Sequence, residues 1–130
     1  MNAPLFLTLN EVLQLHAEAL EHFGGQDGIR DLALLESAIA MPRQGFAGQY
    51  LHPDLASMAS AYLFHLASNH AFIDGNKRVG ARAAYVFLGM NGCDVDFPLD
   101  ETEQLVLGVA KGEVSKEQVT AFFNKLLNCD

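Results

Sequence analysis

The sequence is poor in cysteine and in positive charge, and both shortages exclude classes of protein. Two cysteines among 130 residues are too few for a disulfide-stapled scaffold. We therefore predict that Cys93 and Cys129 are reduced thiols in the cytoplasm. Eight Lys and Arg against sixteen Asp and Glu give a net charge of −8. Such a chain lacks the basic footprint of proteins that bind nucleic acid or anionic membranes broadly, so we expect neither partner.

Long apolar runs and a targeting signal are also missing. No run reaches the ~18 apolar residues of a membrane-spanning helix. The N-terminus has neither a basic segment nor the cleavage pattern of a signal peptide. Half of the residues are nevertheless hydrophobic, which is enough for one core in a chain of this length. We therefore predict one cytoplasmic domain over residues 1–130, with no part in a membrane.

Helical periodicity dominates what is present. Thr8 followed by Glu11 has the spacing of a capping box, and Ser115 precedes the last periodic segment as a cap. The third helix has the widest apolar stripe, so we expect it to be central and buried. We find no convincing sheet, so the predicted fold class is all-α. The predicted helices span residues 8–22, 31–41, 54–69, 76–90, 100–111 and 115–127.

One segment between the second and third helices has no period. Residues 43–51 contain Phe46 and Tyr50 together with two glycines. This composition indicates an exposed loop or a short hairpin. Because the segment lies between two helices that lead to the motif described next, we predict that it forms a flap beside that motif.

Residues with chemical potential concentrate in the turn between the third and fourth helices. The stretch NHAFIDGNKRVGARAA, residues 69–84, holds three of the eight cations of the chain around a Gly-Asn pair. A helix that begins near Asn76 directs free N–H groups and a partial positive charge toward the turn, which favours an anion. Gly75 lets the backbone approach a bound group. Lys77 and Arg78 add full positive charges, and Arg82 lies on the same helical face as Arg78.

Two further residues could act on a bound phosphate. Asp74 could hold Mg²⁺, which takes one or two carboxylates together with phosphate oxygens. Histidine is the side chain best suited to proton transfer near neutral pH, so His70 could accept a proton from an attacking hydroxyl. Each residue alone also fits a structural role, as a helix-end histidine, a turn aspartate or a solvated cation. Their co-occurrence favours nucleotide-dependent phosphate transfer.

The stretch HAFIDGNKR resembles the signature of the Fic/Doc family, His-x-Phe-x-(Asp/Glu)-(Gly/Ala)-Asn-(Gly/Lys)-Arg. Residues 22–44 also resemble the N-terminal part of Doc-type, death-on-curing toxins. The resemblance implies a helical bundle of about six helices with a short flap. It assigns His70 as the general base, Asp74 as the Mg²⁺ ligand and four residues to the ATP phosphates, with Arg82 beside them. These four are Gly75, Asn76, Lys77 and Arg78.

The transferred group stays open between two family activities. Fic proteins transfer AMP to a protein hydroxyl, and their motif has Gly after the Asn and a second Arg three residues after the first. This chain has Lys77 and Ala81 there, and Arg82 lies one position further on. Lys77 resembles Doc, which implies transfer of the γ-phosphate and a protein kinase activity. Gly75 replaces the Ala of the Doc pattern and is more similar to Fic.

The resemblance also implies partners. It points to elongation factor Tu as the substrate, with arrest of translation, and to a Phd-type antitoxin that neutralises the toxin. The sequence lacks the Ser-x-x-x-Glu-(Gly/Asn) pattern of self-inhibited Fic proteins, so we expect inhibition by another chain. A catalytically idle binding module that regulates an antitoxin is the competing hypothesis. The presence of His70 together with Asp74 argues against it.

Overall fold

The computed structural model describes residues 3–127 and is mostly helical. Each helix begins and ends within one residue of its predicted position, and the predicted all-α class is confirmed. None of the helices in this described part combines the length and apolarity needed to cross a membrane. The helices are α1 (Leu9–Phe23), α2 (Leu32–Ala40), α3 (Leu55–Ser68), α4 (Asn76–Met90), α5 (Leu99–Ala110) and α6 (Lys116–Leu126).

The segment between α2 and α3 forms a small hairpin. After a 3₁₀ turn at Met41–Arg43, strands β1 (Gly45–Phe46) and β2 (Gln49–Tyr50) pair antiparallel, with Gly45 opposite Tyr50. Leu51 N–H donates to the Gln44 carbonyl at 2.9 Å and closes the pair. The hairpin alternative for residues 43–51 is thus confirmed.

Side-chain caps explain where several helices begin. Thr8 and Glu11 form the expected capping box at α1, and each side chain accepts a hydrogen bond from the backbone of the other. Ser115 caps α6 in the same way with Gln118. Such caps satisfy N–H groups that the first helical turn cannot pair internally. These local signals are the reason that the helix boundaries were predictable.

Helix α3 is the centre of the molecule, as its apolar stripe indicated. Nine of its fourteen residues are buried, a larger share than in any other helix of the described chain. It packs against α2, α4, α5 and α6. The approach to α4 is close at Gly80, where an added Cβ would lie 3.0 Å from the Leu63 carbonyl oxygen. This packing fixes the end of α3 relative to the start of α4, between which the motif lies.

The expectation for the cysteines is wrong for Cys93. Its side chain is buried and disulfide-bonded, whereas we expected a reduced thiol. The number of cysteines in a chain carries no information about which thiols the fold brings together. Cys129 lies outside the described residues.

Candidate active site

The turn between α3 and α4 begins with an unusual backbone conformation. Asn69 ends α3, and the next residue, His70, has φ of +53°. This left-handed region is costly for any residue with a Cβ, by about 1–2 kcal/mol. Two contacts from the start of α2 hold it. Arg30 donates through Nε to the His70 carbonyl at 2.6 Å, and the Arg30 and Asp31 N–H groups both donate to the Ala71 carbonyl.

The loop between α1 and α2 lies against the turn and supports it along its length. Ile29 pairs with Phe72 in an antiparallel bridge, and Ile73 N–H donates to the Gly28 carbonyl at 3.0 Å. The backbone of the turn is therefore hydrogen-bonded to a segment that lies about forty residues earlier in the sequence.

Asn76 closes the turn from the other side. Its side-chain oxygen accepts from Phe72 N–H at 3.0 Å, and its amide nitrogen donates to the Phe72 carbonyl at 2.9 Å. Phe72 itself is buried, so this pair of bonds ties the turn to the core. Both polar atoms of the Asn76 side chain are used inside the turn, and the group it offers to a ligand is its backbone N–H.

The carboxylate of Asp74 is exposed but held in place. Gly75 N–H donates to Oδ1 at 2.8 Å, and Gln26 N–H donates to Oδ2 at 3.1 Å. The bond from Gln26 and then that from Gly75 lower the pKa of Asp74, with Lys77 and Arg78 adding to the effect. Space is tight here, since a Cβ on Gly25 would lie 2.9 Å from Oδ2. Each carboxylate oxygen keeps a second lone-pair direction for a ligand.

The N-terminus of α4 is left without a side-chain cap. Gly75 precedes the helix with φ of +81°, and the first intrahelical bond runs from Val79 N–H to the Gly75 carbonyl. Within residues 3–127, the N–H groups of Asn76, Lys77 and Arg78 have no hydrogen-bond acceptor. Three free donors at the positive end of a helix form a site for an anion.

A cavity of about 300 Å³ opens over this helix end. It brings together five of the seven predicted site residues, and three further residues at the end of α1 complete its wall. These three residues, Phe23, Gly24 and Gly25, were not among the predicted site residues. The lining residues are Phe23, Gly24, Gly25, Asp74, Gly75, Asn76, Lys77 and Arg78.

Phe23 contacts a cation on the wall of the cavity directly. The guanidinium carbon of Arg78 lies 4.0 Å from the centre of the Phe23 ring, a cation–π contact. A Phe immediately before a Gly-Gly pair was the signal available in the sequence, but nothing local indicated that it would meet Arg78.

His70 and Arg82 do not line this cavity. The His70 side chain is exposed, and within the described residues no hydrogen bond holds its ring. Arg82 is half-buried one helical turn beyond Arg78, and its Nε is buried without a hydrogen-bond partner in residues 3–127. The pocket as it stands therefore contains the anion-binding and carboxylate groups, with the predicted base outside it.

Comparison with known proteins identifies the family. The family model described as "Fic/DOC family" matches residues 6–88, which include the whole site. The chain belongs to the Fic/Doc family. It is 40% identical over 101 residues to "Toxin Doc" of Mycolicibacterium smegmatis, a match that covers 76% of this chain and 78% of that protein. It is 32% identical over 116 residues to "Protein kinase doc" of Escherichia phage P1, covering 89% of this chain and 90% of the relative.

The Fic/Doc site has the donor set that Mg²⁺ prefers in a nucleotide complex. Within the described residues there is no group of three His, Cys, Asp or Glu side chains that could enclose a metal. Asp74 is instead a single ionised carboxylate on the wall of an anion cavity. Mg²⁺ is usually held by one or two carboxylates plus substrate phosphates, so these residues fit it.

Proposed function

We propose that this Fic/Doc protein is a Doc-like toxin that transfers the γ-phosphate of ATP to a Ser or Thr hydroxyl of elongation factor Tu. One observation carries the proposal. The ionised Asp74 carboxylate and the free N–H groups at the start of α4 line the same cavity. An anion cradle beside a hard metal ligand is suited to a metal-bound polyphosphate.

In this proposal the protein contributes mainly position and charge. The α4 N–H groups and Arg78 hold phosphate oxygens, and Lys77 adds a point charge on the same wall. Asp74 would hold Mg²⁺, which neutralises phosphate charge when it is bound. Such electrostatic stabilisation is the larger part of catalysis in phosphate transfer.

His70 is proposed as the general base. The hydroxyl oxygen of the target forms a bond to the γ-phosphorus, the bond to the bridging oxygen breaks, and ADP leaves while the hydroxyl proton passes to His70. A positioned base contributes typically 10²–10⁴-fold in rate. The exposed ring and the left-handed backbone at His70 support this role, since strained residues cluster at active sites.

Lys77 favours phosphorylation over AMP transfer. It lines the cavity at the motif position where AMP-transferring Fic proteins have Gly, and the phage P1 relative is named a protein kinase. Gly75 favours the second candidate, a Fic-type adenylyltransferase, because Doc proteins typically have Ala there. The two activities differ in product, since transfer of AMP releases pyrophosphate and transfer of the γ-phosphate releases ADP.

We further propose that a Phd-type antitoxin neutralises the protein in the cytoplasm, where elongation factor Tu works. The relative named "Toxin Doc" supports an antitoxin partner. The hairpin of β1 and β2 is the proposed docking edge for an extended piece of the target. Its side chains Phe46 and Tyr50 are exposed and its strands have no further partner among residues 3–127.

The deciding experiment compares ATP labelled at the α or the γ phosphate, incubated with the protein, Mg²⁺ and purified elongation factor Tu. Transfer of the γ label alone supports the kinase, and transfer of the α label alone replaces it with the adenylyltransferase. His70→Ala should abolish transfer while ATP affinity stays within about a few-fold, because the phosphate contacts are made elsewhere. Full transfer by His70→Ala would refute the base assignment. No transfer of either label, with an antitoxin still bound, would favour the idle binding module.

A further inference from the structure

We infer that His16 is a positioning residue for this site, and that its Nε2–H bond to the Asp74 backbone fixes the metal-binding carboxylate and the start of α4. The inference rests on the proposed function. His16 lies on α1, more than fifty residues before the motif, and was not among the predicted site residues.

The contact between His16 and Asp74 is short, and its His16 side is buried. Nε2 lies 2.7 Å from the Asp74 carbonyl oxygen, and His16 is 3% exposed. A carbonyl oxygen can only accept, so Nε2 carries the proton. Loss of this donor would leave the part-buried carbonyl without its hydrogen bond from His16, which is unfavourable.

The His16 ring touches the turn at two further points. It stacks on Phe72 with 3.7 Å between ring centres and 7° between ring planes. A Cβ on Gly75 would lie 3.3 Å from both Cδ2 and Nε2 of the ring. The ring therefore packs along the inside of the turn, and it limits the space for a side chain at position 75.

These contacts act on the groups that would meet the nucleotide. The Asp74 carbonyl is held by His16, while the Asp74 carboxylate is held by N–H groups of Gln26 and Gly75. Because the backbone and the side chain of Asp74 are both hydrogen-bonded, its carboxylate keeps one orientation relative to the N-terminus of α4. A misplacement of about 1 Å at a reacting centre can cost about 10²-fold in rate. His16 does not line the cavity, so it acts through Asp74 and the turn.

Two substitutions separate the hydrogen bond from the packing. His16→Phe keeps an aromatic ring against Phe72 but removes the donor. His16→Gln keeps an N–H donor at a similar reach to Nε2 but removes the stacked ring. Val12→Ala is the matched control, since Val12 is buried one turn earlier on the same helix. Within residues 3–127 it makes no hydrogen bond to the motif.

We expect His16→Phe to lower kcat by about 10–100-fold, the usual effect of losing a residue that orients a metal ligand. KM for the target protein should stay within about two-fold, because His16 is buried and not available for contact with a target protein. His16→Gln should recover kcat to within about ten-fold of the unmodified protein. Val12→Ala should keep kcat at temperatures where it is folded. In His16→Phe, Mg²⁺ should increase the affinity for ATP by less than it does in the unmodified protein, and the Gly75 N–H should exchange its hydrogen faster. Neither change is expected in Val12→Ala.

A His16→Phe protein with unchanged kcat, Mg²⁺ dependence and Gly75 exchange would overturn the inference. Losses of kcat that follow thermal stability equally in His16→Phe, His16→Gln and Val12→Ala would also overturn it, because they indicate a core histidine only. If His16→Phe does not fold, His16→Gln decides instead. A kcat of His16→Gln no higher than that of a variant without the Asp74 carboxylate would then overturn the inference. If the unmodified protein transfers no label, the proposed function fails, while ATP binding and Gly75 exchange still decide the role of His16.

Discussion

Arg78 lies with its guanidinium carbon 4.0 Å from the centre of the Phe23 ring, so the last residue of α1 holds a cation at the first turn of α4. Phe23 is 59% exposed and contributes little to the core. Its ring instead limits the positions that the Arg78 side chain can adopt over the cavity. A cation–π contact at an exposed site is worth about 0.5–1 kcal/mol.

Phe23→Leu should therefore weaken ATP binding about two- to five-fold in the presence of Mg²⁺. This factor corresponds to the loss of a cation–π contact worth about 0.5–1 kcal/mol. Phe23→Tyr keeps the aromatic face and should bind as the unmodified protein does. Isothermal titration calorimetry measures both. Equal affinities for the Leu and Tyr variants would show that the ring does not position Arg78 for the nucleotide.

Asp74→Asn should remove transfer activity and the Mg²⁺ dependence of ATP binding, because a neutral amide is a poor ligand for Mg²⁺. The side-chain oxygen of Asn can still accept from Gly75 N–H, so the turn should remain folded. Asp27→Asn is a matched control in the adjacent loop. Asp27 also accepts a backbone bond, from Gly28 N–H at 2.8 Å, but it does not line the cavity. Equal effects of the two substitutions would argue against a metal ligand at Asp74.

Gly80→Ala should destabilise the protein by about 1–3 kcal/mol, the usual cost of overpacking. The new methyl group would meet the Leu63 carbonyl oxygen at 3.0 Å and the Ala67 nitrogen at 3.3 Å, and backbone atoms cannot move aside easily. Gly89→Ala on the same helix is the control. Its Cβ would meet only the Asp94 side chain, at 3.4 Å, so better helix propensity should leave stability equal or higher. Urea unfolding of both variants provides the test, and a Gly80→Ala protein of unchanged stability would contradict the close packing of α3 and α4.

The helices and the motif were predictable from the sequence because their signals are local. The capping box of Thr8 and Glu11 and the apolar stripe of α3 are each contained in one segment. The motif residues from Asp74 to Arg78 are consecutive, so their meeting in one cavity needed only a turn followed by a helix.

The residues that α1 contributes to the site were not predictable from local signals. His16 and Phe23 lie on α1, and only tertiary packing brings them to the motif. One signal was present for His16, which lies four residues after Val12 and three before Ala19 and so on the buried face of α1. A polar residue on such a face needs a partner. The disulfide bond of Cys93 was missed because the number of cysteines alone does not show which thiols are joined.

The last prediction concerns two histidines that share a part-buried lysine, Lys116. Lys116 Nζ lies 3.0 Å from His65 Nε2 and 3.2 Å from His52 Nε2. An ammonium group only donates, so both ring nitrogens accept and both histidines are neutral. Burial, then the Lys116 charge and then His52 lower the pKa of His65 to about 4. Burial and Lys116 also lower the pKa of His52.

The sign of the effect on stability follows from the unfolded chain, in which a histidine has a pKa of about 6.5. As the pH falls below 6.5 the unfolded state takes up protons that the folded state refuses, so folding stability decreases. The contribution from His65 is complete above pH 6.5 and is lost between pH 6.5 and about 4. Solvent screening reduces its size, because His65 is only half-buried. Burial lowers the pKa of Lys116, and the nearby charge of Glu117 acts in the opposite direction and favours the ammonium form.

Lys116→Gln should flatten this decrease, because it removes the positive charge that opposes protonation of both histidines. Its backbone carbonyl still accepts from Ser60 and Thr120, so the start of α6 should be retained. Lys111→Gln is the matched control, since Lys111 is exposed at the end of α5. Urea unfolding at pH 7 and pH 5, a range above the ordinary pKa values of Asp and Glu, measures the difference. The unmodified protein and Lys111→Gln should lose the same stability over this range, and Lys116→Gln should lose less. Equal losses in all three proteins would show that the pair of histidines does not govern stability in this range.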